Sequence, residues 1–333
     1  METREVMTIN DIRKKNDFKK FFLQWEWMLV LIFIIINIIN ASITEYYLDA
    51  GSLLDATMSF LDKSFMVLPM VFVIILGEID ISVGSTLALS SVVMGVLFSK
   101  GVPMPAAVIA CLLTGAACGL VNGLLVTRFK ELSSTILTLS TMIVYRGFAY
   151  ILLQDQSVGS FPKWFSYVGW GKIGELPFIL LMFIIFAVLF GIVLHKTVFG
   201  RRIYAMGNNV TASEFSGIQV NRMKVIIFTL GGLMAGVSAL FLTSKMGSTR
   251  PNIASGYELE VIAMVVLGGI STAGGKGRMI GAVISIFIIG FLRYGLGLAN
   301  VTSQVLIIIT GLLLIFAVMV PNLKFNILKK KKV

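Results

Sequence analysis

GRRIYAMGNNVTASEFSGIQVNRMK, residues Gly200–Lys224, is a long, mostly polar interval in a chain that is otherwise close to continuous hydrocarbon. An apolar run, Leu176–Leu194, precedes it and another, Val225–Leu242, follows. Arg201 and Arg202 open the interval; Arg222 and Lys224 close it. In its middle, Val210–Ser216 can form about two turns of helix, with Asn208 or Asn209 as cap and Gly217 as stop. A short helix on a basic loop between two membrane spans is placed to touch something in the cytoplasm. It reads as a surface on which another protein pushes.

The rest of the chain supplies the membrane. Of 333 residues, 57% are hydrophobic and 14% charged, and the mean hydropathy is +0.91. Many runs approach the roughly 20 residues that cross a bilayer core. These properties predict an all-α, polytopic membrane protein with no soluble domain attached. A β-barrel does not fit, because the runs are continuous rather than alternating. The net charge of +11 is no sign of nucleic acid, since the basic residues fall in gaps between apolar runs.

In chain order, residues 1–22 carry six Lys/Arg and read as a cytoplasmic segment without a cleavable signal. The membrane domain is expected over 23–323, with a loop at 196–224, and a basic tail over 324–333. A first span covers about Trp25–Ile43. Thr44–Asp62 has four acids and no Lys or Arg, so it is expected outside. A short second span, about Ser64–Ile79, ends at GEIDISVGS (Gly77–Ser85). The third is about Ser85–Phe98. The fourth, Ala106–Thr127, carries Gly115, Gly119 and Gly123 in register for close helix packing. A fifth covers about Leu132–Leu153. Gln154–Glu175 is aromatic-rich and suits the outer interface. The sixth and seventh spans flank the opening stretch. A short eighth, about Glu258–Ile270, begins in external water at Glu258 and Glu260 and ends in GGISTAGGKGR (Gly268–Arg278). Met279–Leu298 and Ser303–Pro321 complete about ten spans. Both termini then lie inside, and cytoplasmic segments hold 20 of the 28 Lys/Arg.

Spans two and eight share the pattern L-G-x-I-x-x-x-x-G, Leu76–Gly84 and Leu267–Gly275. A pair of glycine-broken short spans in two halves of a transporter points to a duplicated architecture and a pathway. Gly77, Glu78, Asp80, Ser82, Gly84, Gly268, Gly269, Gly274 and Gly275 are therefore candidate gate or junction residues. Glu78 and Asp80 would be costly and functional if buried; the plainer reading makes Asp80 or Ser82 the N-cap of span three. Few acids lie near the middle of any span, and neutral Asn122 and Thr138 are candidates for a polar path.

The loop at 268–278 is not a phosphate-binding loop: G-x-x-x-x-G-K-[ST] needs Gly at Ile270 and Ser or Thr at Gly277. ATP hydrolysis in this chain is not expected. Cys111 and Cys118 lie about 10 Å apart along one helix, too far for a disulfide. The lone His195, beside Lys196, reads as a helix-end cation rather than a metal ligand. No metal site and no catalytic constellation is indicated.

Four stretches carry a family resemblance: GLVNGLLVTRFKELSSTILTLSTMIVYRGFAYIL (Gly119–Leu152), GEIDISVGS, FGRRIYAMGNNVTASEFSGIQVNRMK (Phe199–Lys224) and VLGGISTAGGKGRMIGA (Val266–Ala282). Together they resemble permease subunits of bacterial ATP-binding-cassette (ABC) importers for ribose, xylose, rhamnose and autoinducer-2. The resemblance implies an inner-membrane protein paired with a second permease. It also implies a cytoplasmic ATPase dimer that binds the ATP and a periplasmic or lipoprotein sugar-binding protein. Thr211–Ala212–Ser213 followed by Gly217 has the spacing of the family's E-A-A-x-x-x-G coupling pattern, with Thr211 for Glu and Ser213 for the second Ala. Coupling residues implied are Gly207, Asn208, Thr211, Ala212, Ser213, Glu214, Ser216 and Gly217. A secondary transporter working alone is the alternative of another class; a neighbouring gene for a P-loop ATPase would separate the two.

Overall fold

A computed structural model describes residues 25–43, 47–302 and scattered positions between 304 and 319. The expected 1–22 segment, the 324–333 tail and much of the tenth span lie outside these residues. The described helices are α1 (Trp25–Ile43), α2 (Ala50–Ile75), α3 (Val83–Ser99), α4 (Met104–Arg128), α5 (Ser134–Leu153), α6 (Lys163–Trp170), α7 (Phe178–Lys196), α8 (Val198–Asn208), α9 (Val210–Phe215), α10 (Val220–Met246), α11 (Tyr257–Leu267) and α12 (Met279–Leu298). Nine of them match expected spans, and seven are long and apolar enough to cross a bilayer. Two-residue strands, β1 (Val158–Gly159) to β4 (Ser248–Thr249) and β2 (Lys172–Ile173) to β3 (Leu176–Pro177), pair antiparallel. The chain is a multi-pass membrane protein. Its end bearing residues 197–219 is called the loop end below, the other the far end.

Helix α2 is the axis of the bundle, with 94% of its apolar window buried, against 11% for α1. Large apolar side chains on α1, α5 and α7 stay exposed, among them Ile38, Ile143 and Val188. Such faces suit lipid. Between α4 and α10 the packing is glycine on glycine. A methyl added at Gly119 would lie 2.9 Å from the Gly232 nitrogen, and one at Gly115 would lie 3.0 Å from the Gly236 nitrogen. The four-residue stripe therefore serves helix approach, as its spacing predicted. Cys111 and Cys118 are both free and buried.

Three sequence readings need correction. First, span two is not short: α2 has 26 residues and starts at Ala50, so Asp55 and Asp62 belong to the helix rather than to an outer loop. Asp49 caps it, its Oδ2 accepting the Ser52 amide at 2.9 Å, and these bonds hold its carboxyl below the usual carboxylate range. Asp62 is fully buried yet paired, 3.2 Å from Lys245 Nζ of α10. Second, Glu260 is not in external water. It is largely buried, with Lys63 Nζ at 2.5 Å and an ion pair to Arg293 of α12. Acids thus do lie at span depth, and the Lys63, Glu260 and Arg293 side chains fasten α2, α11 and α12 together. Burying charges is costly, and mutual pairing offsets the cost. Third, His195 is no cation: its Nε2 accepts the Met279 amide proton at 3.2 Å. The neutral ring caps the first turn of α12, where the Arg278 side chain makes no cap bond.

The repeated motif has a geometric counterpart. At the end of α2, the Gly77 amide bonds to the Ile74 carbonyl and the Glu78 amide to the Val73 carbonyl. At the end of α11, the Gly269 amide bonds to the Val266 carbonyl and the Ile270 amide to the Val265 carbonyl. Both are Schellman stops, with Gly77 at φ 79° and Gly269 at φ 82°. The left-handed residue is the first glycine of one motif and the second of the other, so the structural match is shifted one residue from the sequence match.

Candidate functional site: the joint between the loop helices and the spans

The loop folds as two helices. Thr197 caps α8 by accepting the Gly200 amide at 3.3 Å. Asn209, rather than Asn208, caps α9 and accepts the Ala212 amide at 2.9 Å. Gly217 stops α9 at φ 81°, its amide bonding to the Glu214 carbonyl and that of Ile218 to the Ser213 carbonyl. On α9, Thr211, Ala212 and Glu214 are exposed, while Ser213 is buried and bonds to the Asn209 carbonyl at 2.8 Å. Ser216 Oγ donates to the Ala212 carbonyl. The sequence reading passed over Phe215, which is 90% exposed. A lone aromatic residue between the cap Asn209 and the stop Gly217 was the signal available.

The structure brings the loop candidates and the junction candidates together. Gly207, near the end of α8, sits against the Ile75 carbonyl at the end of α2 and against the Gly275 amide. That amide donates to the same Ile75 carbonyl at 2.8 Å. Asn208 packs on Gly275, and Gly274 lies beside Gly77 and the Gly207 carbonyl. Gly274 and Gly275 have φ of 83° and 71°, as a tight turn requires. Tyr204 Oη donates to the Gly277 carbonyl at 2.7 Å. Burial raises the phenol's pKa, so it remains a neutral donor. Gly268 packs against Ala282 at the start of α12. Thus α8 is stapled to the ends of two spans rather than hanging free.

A second connection leaves the loop at its other side. Lys224, in the first turns of α10, forms an ion pair with Glu78, each side chain about one-sixth exposed (16% and 17%). Glu78 begins the segment 78–82 that leads to α3. Asp80 in that segment is buried, and its Oδ1 accepts from the Ser82 amide at 2.8 Å and hydroxyl at 2.7 Å. Ser82 holds the N-cap position of α3 without a side-chain cap bond. The plainer reading thus holds for the position, since Ser82 is the N-cap residue of α3, but its side chain bonds to Asp80 and knots the segment instead of capping the helix. Asn122 Nδ2 donates to Ser82 Oγ at 2.7 Å, and Tyr145 Oη to Asn122 Oδ1 at 3.0 Å. Thr138 Oγ1 accepts the Ile81 amide at 3.1 Å. Asn122 and Thr138, picked as path residues, thus clamp segment 78–82 to α4 and α5. Gly84, just beyond, lies against Glu258.

A chain of contacts therefore runs from an exposed helix, through α8 and Lys224, to the loop ends of the spans. This arrangement can pass displacement from the loop helices to the spans. The profile of the permease component of branched-chain amino acid transport systems matches residues 52–318. The chain belongs to that permease family. It is 35% identical over 300 residues to the autoinducer 2 import system permease protein LsrD of Escherichia coli K12, covering 88% of this chain and 91% of the relative. The same figures hold for the LsrD of Shigella flexneri. No solved structure matches. The resemblance read from four motifs is borne out: the chain is a membrane permease subunit of the ABC importer class, a transport protein.

Proposed function

We propose that this permease forms, with a second permease subunit, the translocation path of an ABC importer for a small sugar-like solute such as autoinducer 2. In this reading the loop end and both termini are cytoplasmic. A separate ATPase dimer docks on α9, and a periplasmic or lipoprotein binding protein delivers the solute. The charge distribution of the sequence supports the orientation, because 20 of 28 Lys/Arg fall in segments that this orientation assigns to the cytoplasm. ATP belongs to the partner: this chain has no P-loop pattern, and the amides of Gly274 and Gly275 in its glycine-rich loop are bonded to carbonyls of the protein itself. On ATP binding, the ATPases draw together and carry α9 with them. The α8 staple and the Lys224–Glu78 pair then shift the span ends and change which side the path opens to.

The observation that carries this reading is Phe215, an exposed aromatic on a capped helix joined to the spans. Exposed aromatics of this kind act as anchors in a partner's pocket. Phe215→Asp tests it. The variant permease is expected to keep wild-type thermal stability, within about 0.5 kcal/mol for a surface position. It is expected to lose co-purification with the ATPase and to lose uptake. Full assembly and full uptake by Phe215→Asp would overturn the docking assignment.

A further inference from the structure

Two openings at the loop end share a wall. The first, of about 490 Å³, lies among the start of α1, helix α8 and the glycine-rich loop before α12. Trp25, Glu26, Arg201, Tyr204, Lys276 and Arg278 line it. The second, of about 610 Å³, is a groove between α7 and α12, with Ala187 and Gly191 on one side and Ile280 and Val283 on the other. His195 and Arg278 line both, so the groove and its basic mouth are continuous.

Their depth follows from the helices that form them. Helices α1, α7 and α12 are each long and apolar enough to cross a bilayer. At the mouth α1 begins at Trp25, α7 ends at Lys196 and α12 begins at Met279. Trp25, whose Nε1 donates to the Leu267 carbonyl at 2.9 Å, is of the residue type that marks the boundary between membrane and water. From His195 at the mouth to Phe183, the last groove residue of α7, is about 18 Å along the helix. That is close to one leaflet, about 15 Å of a roughly 30 Å hydrocarbon core. The rims of the groove, Ile184, Val188 and Ile280, are 51%, 55% and 58% exposed, so it opens sideways onto the bilayer.

The mouth holds three cations and one acid. Glu26 stands 3.5 Å from Arg278. Among the described residues, Arg201 and Lys276 are in no ion pair. A groove one leaflet deep suits a hydrocarbon chain, and an excess of positive charge at headgroup level suits a negative head. A soluble anion would leave the groove unfilled. A zwitterionic lipid would leave the excess charge unanswered. Basic pockets between spans are suited to anionic headgroups.

We propose that this continuous site binds one anionic phospholipid, its phosphate among Arg201, Lys276 and Arg278 and one acyl chain in the groove between α7 and α12. The inference goes beyond the transport reading and needs only that the chain is a multi-pass membrane protein. The lipid would lie against Tyr204, whose hydroxyl joins α8 to Gly277, and so against the joint itself.

The test is native mass spectrometry of the full-length permease, stripped of lipid in detergent. The probes are phosphatidylglycerol, phosphatidylcholine of the same chains, and inorganic phosphate. Phosphatidylglycerol is expected to be retained, one per chain, roughly tenfold or more tightly than phosphatidylcholine. Arg201→Gln with Lys276→Gln is expected to bring the two lipids to within roughly threefold of each other. That ratio is read within one protein, so a general loss of stability does not imitate it. Gly191→Phe fills the groove: a carbon added at Gly191 meets only Met279 Cγ at 3.9 Å, an ordinary contact. It is expected to weaken phosphatidylglycerol retention roughly tenfold, through the lost acyl contact. Equal retention of both lipids by the unaltered chain, or a preference that survives the double Gln variant, overturns the proposal. Displacement of phosphatidylglycerol by an equal concentration of inorganic phosphate would show a soluble-anion site instead. A Gly191→Phe protein that keeps the lipid but changes from dimer to monomer would show that a second copy fills the groove, and would overturn it too.

Discussion

Gly207→Ala separates a stapled loop from a merely adjacent one. In an ordinary helix the change would stabilise by roughly 0.5–1 kcal/mol, because alanine loses less backbone entropy. Gly207 has no such freedom. An added methyl would lie 2.6 Å from the Gly275 nitrogen and 3.0 Å from the Ile75 carbonyl carbon, and closer still to the Ile75 oxygen. Ordinary contact begins near 3.4 Å, so backbone on one side must retreat by about 1.5 Å to clear the Ile75 oxygen. The methyl also wedges into the 2.8 Å bond from the Gly275 amide to the Ile75 carbonyl. Overpacking costs about 1–3 kcal/mol, and leaving a buried bond unmade costs about 1–3 kcal/mol more. The sum exceeds the helical gain. Thermal unfolding followed by tryptophan fluorescence in detergent, with uptake in vesicles, checks it: Tm and uptake are both expected to fall. Gly297→Ala on α12, with nothing within 4 Å of the added carbon, is the control and is expected to be neutral or slightly stabilising. A Gly207→Ala protein with unchanged or raised Tm and full uptake would refute the staple.

The Glu78–Lys224 pair predicts non-additivity. Glu78→Gln or Lys224→Met alone strands a partly buried charge and is expected to impair uptake, whereas the double variant recovers part of the loss; a double-mutant cycle should give about 0.5–3 kcal/mol of coupling, and strict additivity would show the pair to be idle. In the buried network, Glu260→Gln leaves Lys63 and Arg293 without their acid. Loss of about 3–5 kcal/mol is expected, against little change when Lys63, Glu260 and Arg293 are together replaced by Met, Leu and Leu; chemical denaturation in detergent measures both.

How much of this was legible in the sequence depends on how local the deciding contact is. Helix α9 was legible because its cap and its stop lie within nine residues, Asn209 to Gly217, and each bond closes inside that window. The glycine stripe of α4 was legible because small residues at fixed spacing need only some partner, whichever it is. The start of α2 was not. Asp62 read as a loop residue, since its partner Lys245 stands far along the chain. The same separation misled the reading of Glu260 as solvated.

The junction residues show the limit most clearly. Sequence spacing singled out the two glycine motifs as a matched pair, and the paired Schellman stops support the match. Yet the pattern could not say that Gly207 would close on one motif and Asn208 on the other, because steric fit between backbones leaves no periodic trace. Nor could it pair Gly84 with Glu258, residues of opposite halves that meet where α3 and α11 begin. A helix that starts at mid-depth must present its first residues to something polar, since lipid cannot satisfy them. That requirement explains why the knotted segment 78–82, with buried Asp80 bonded to Ser82, stands where α3 begins.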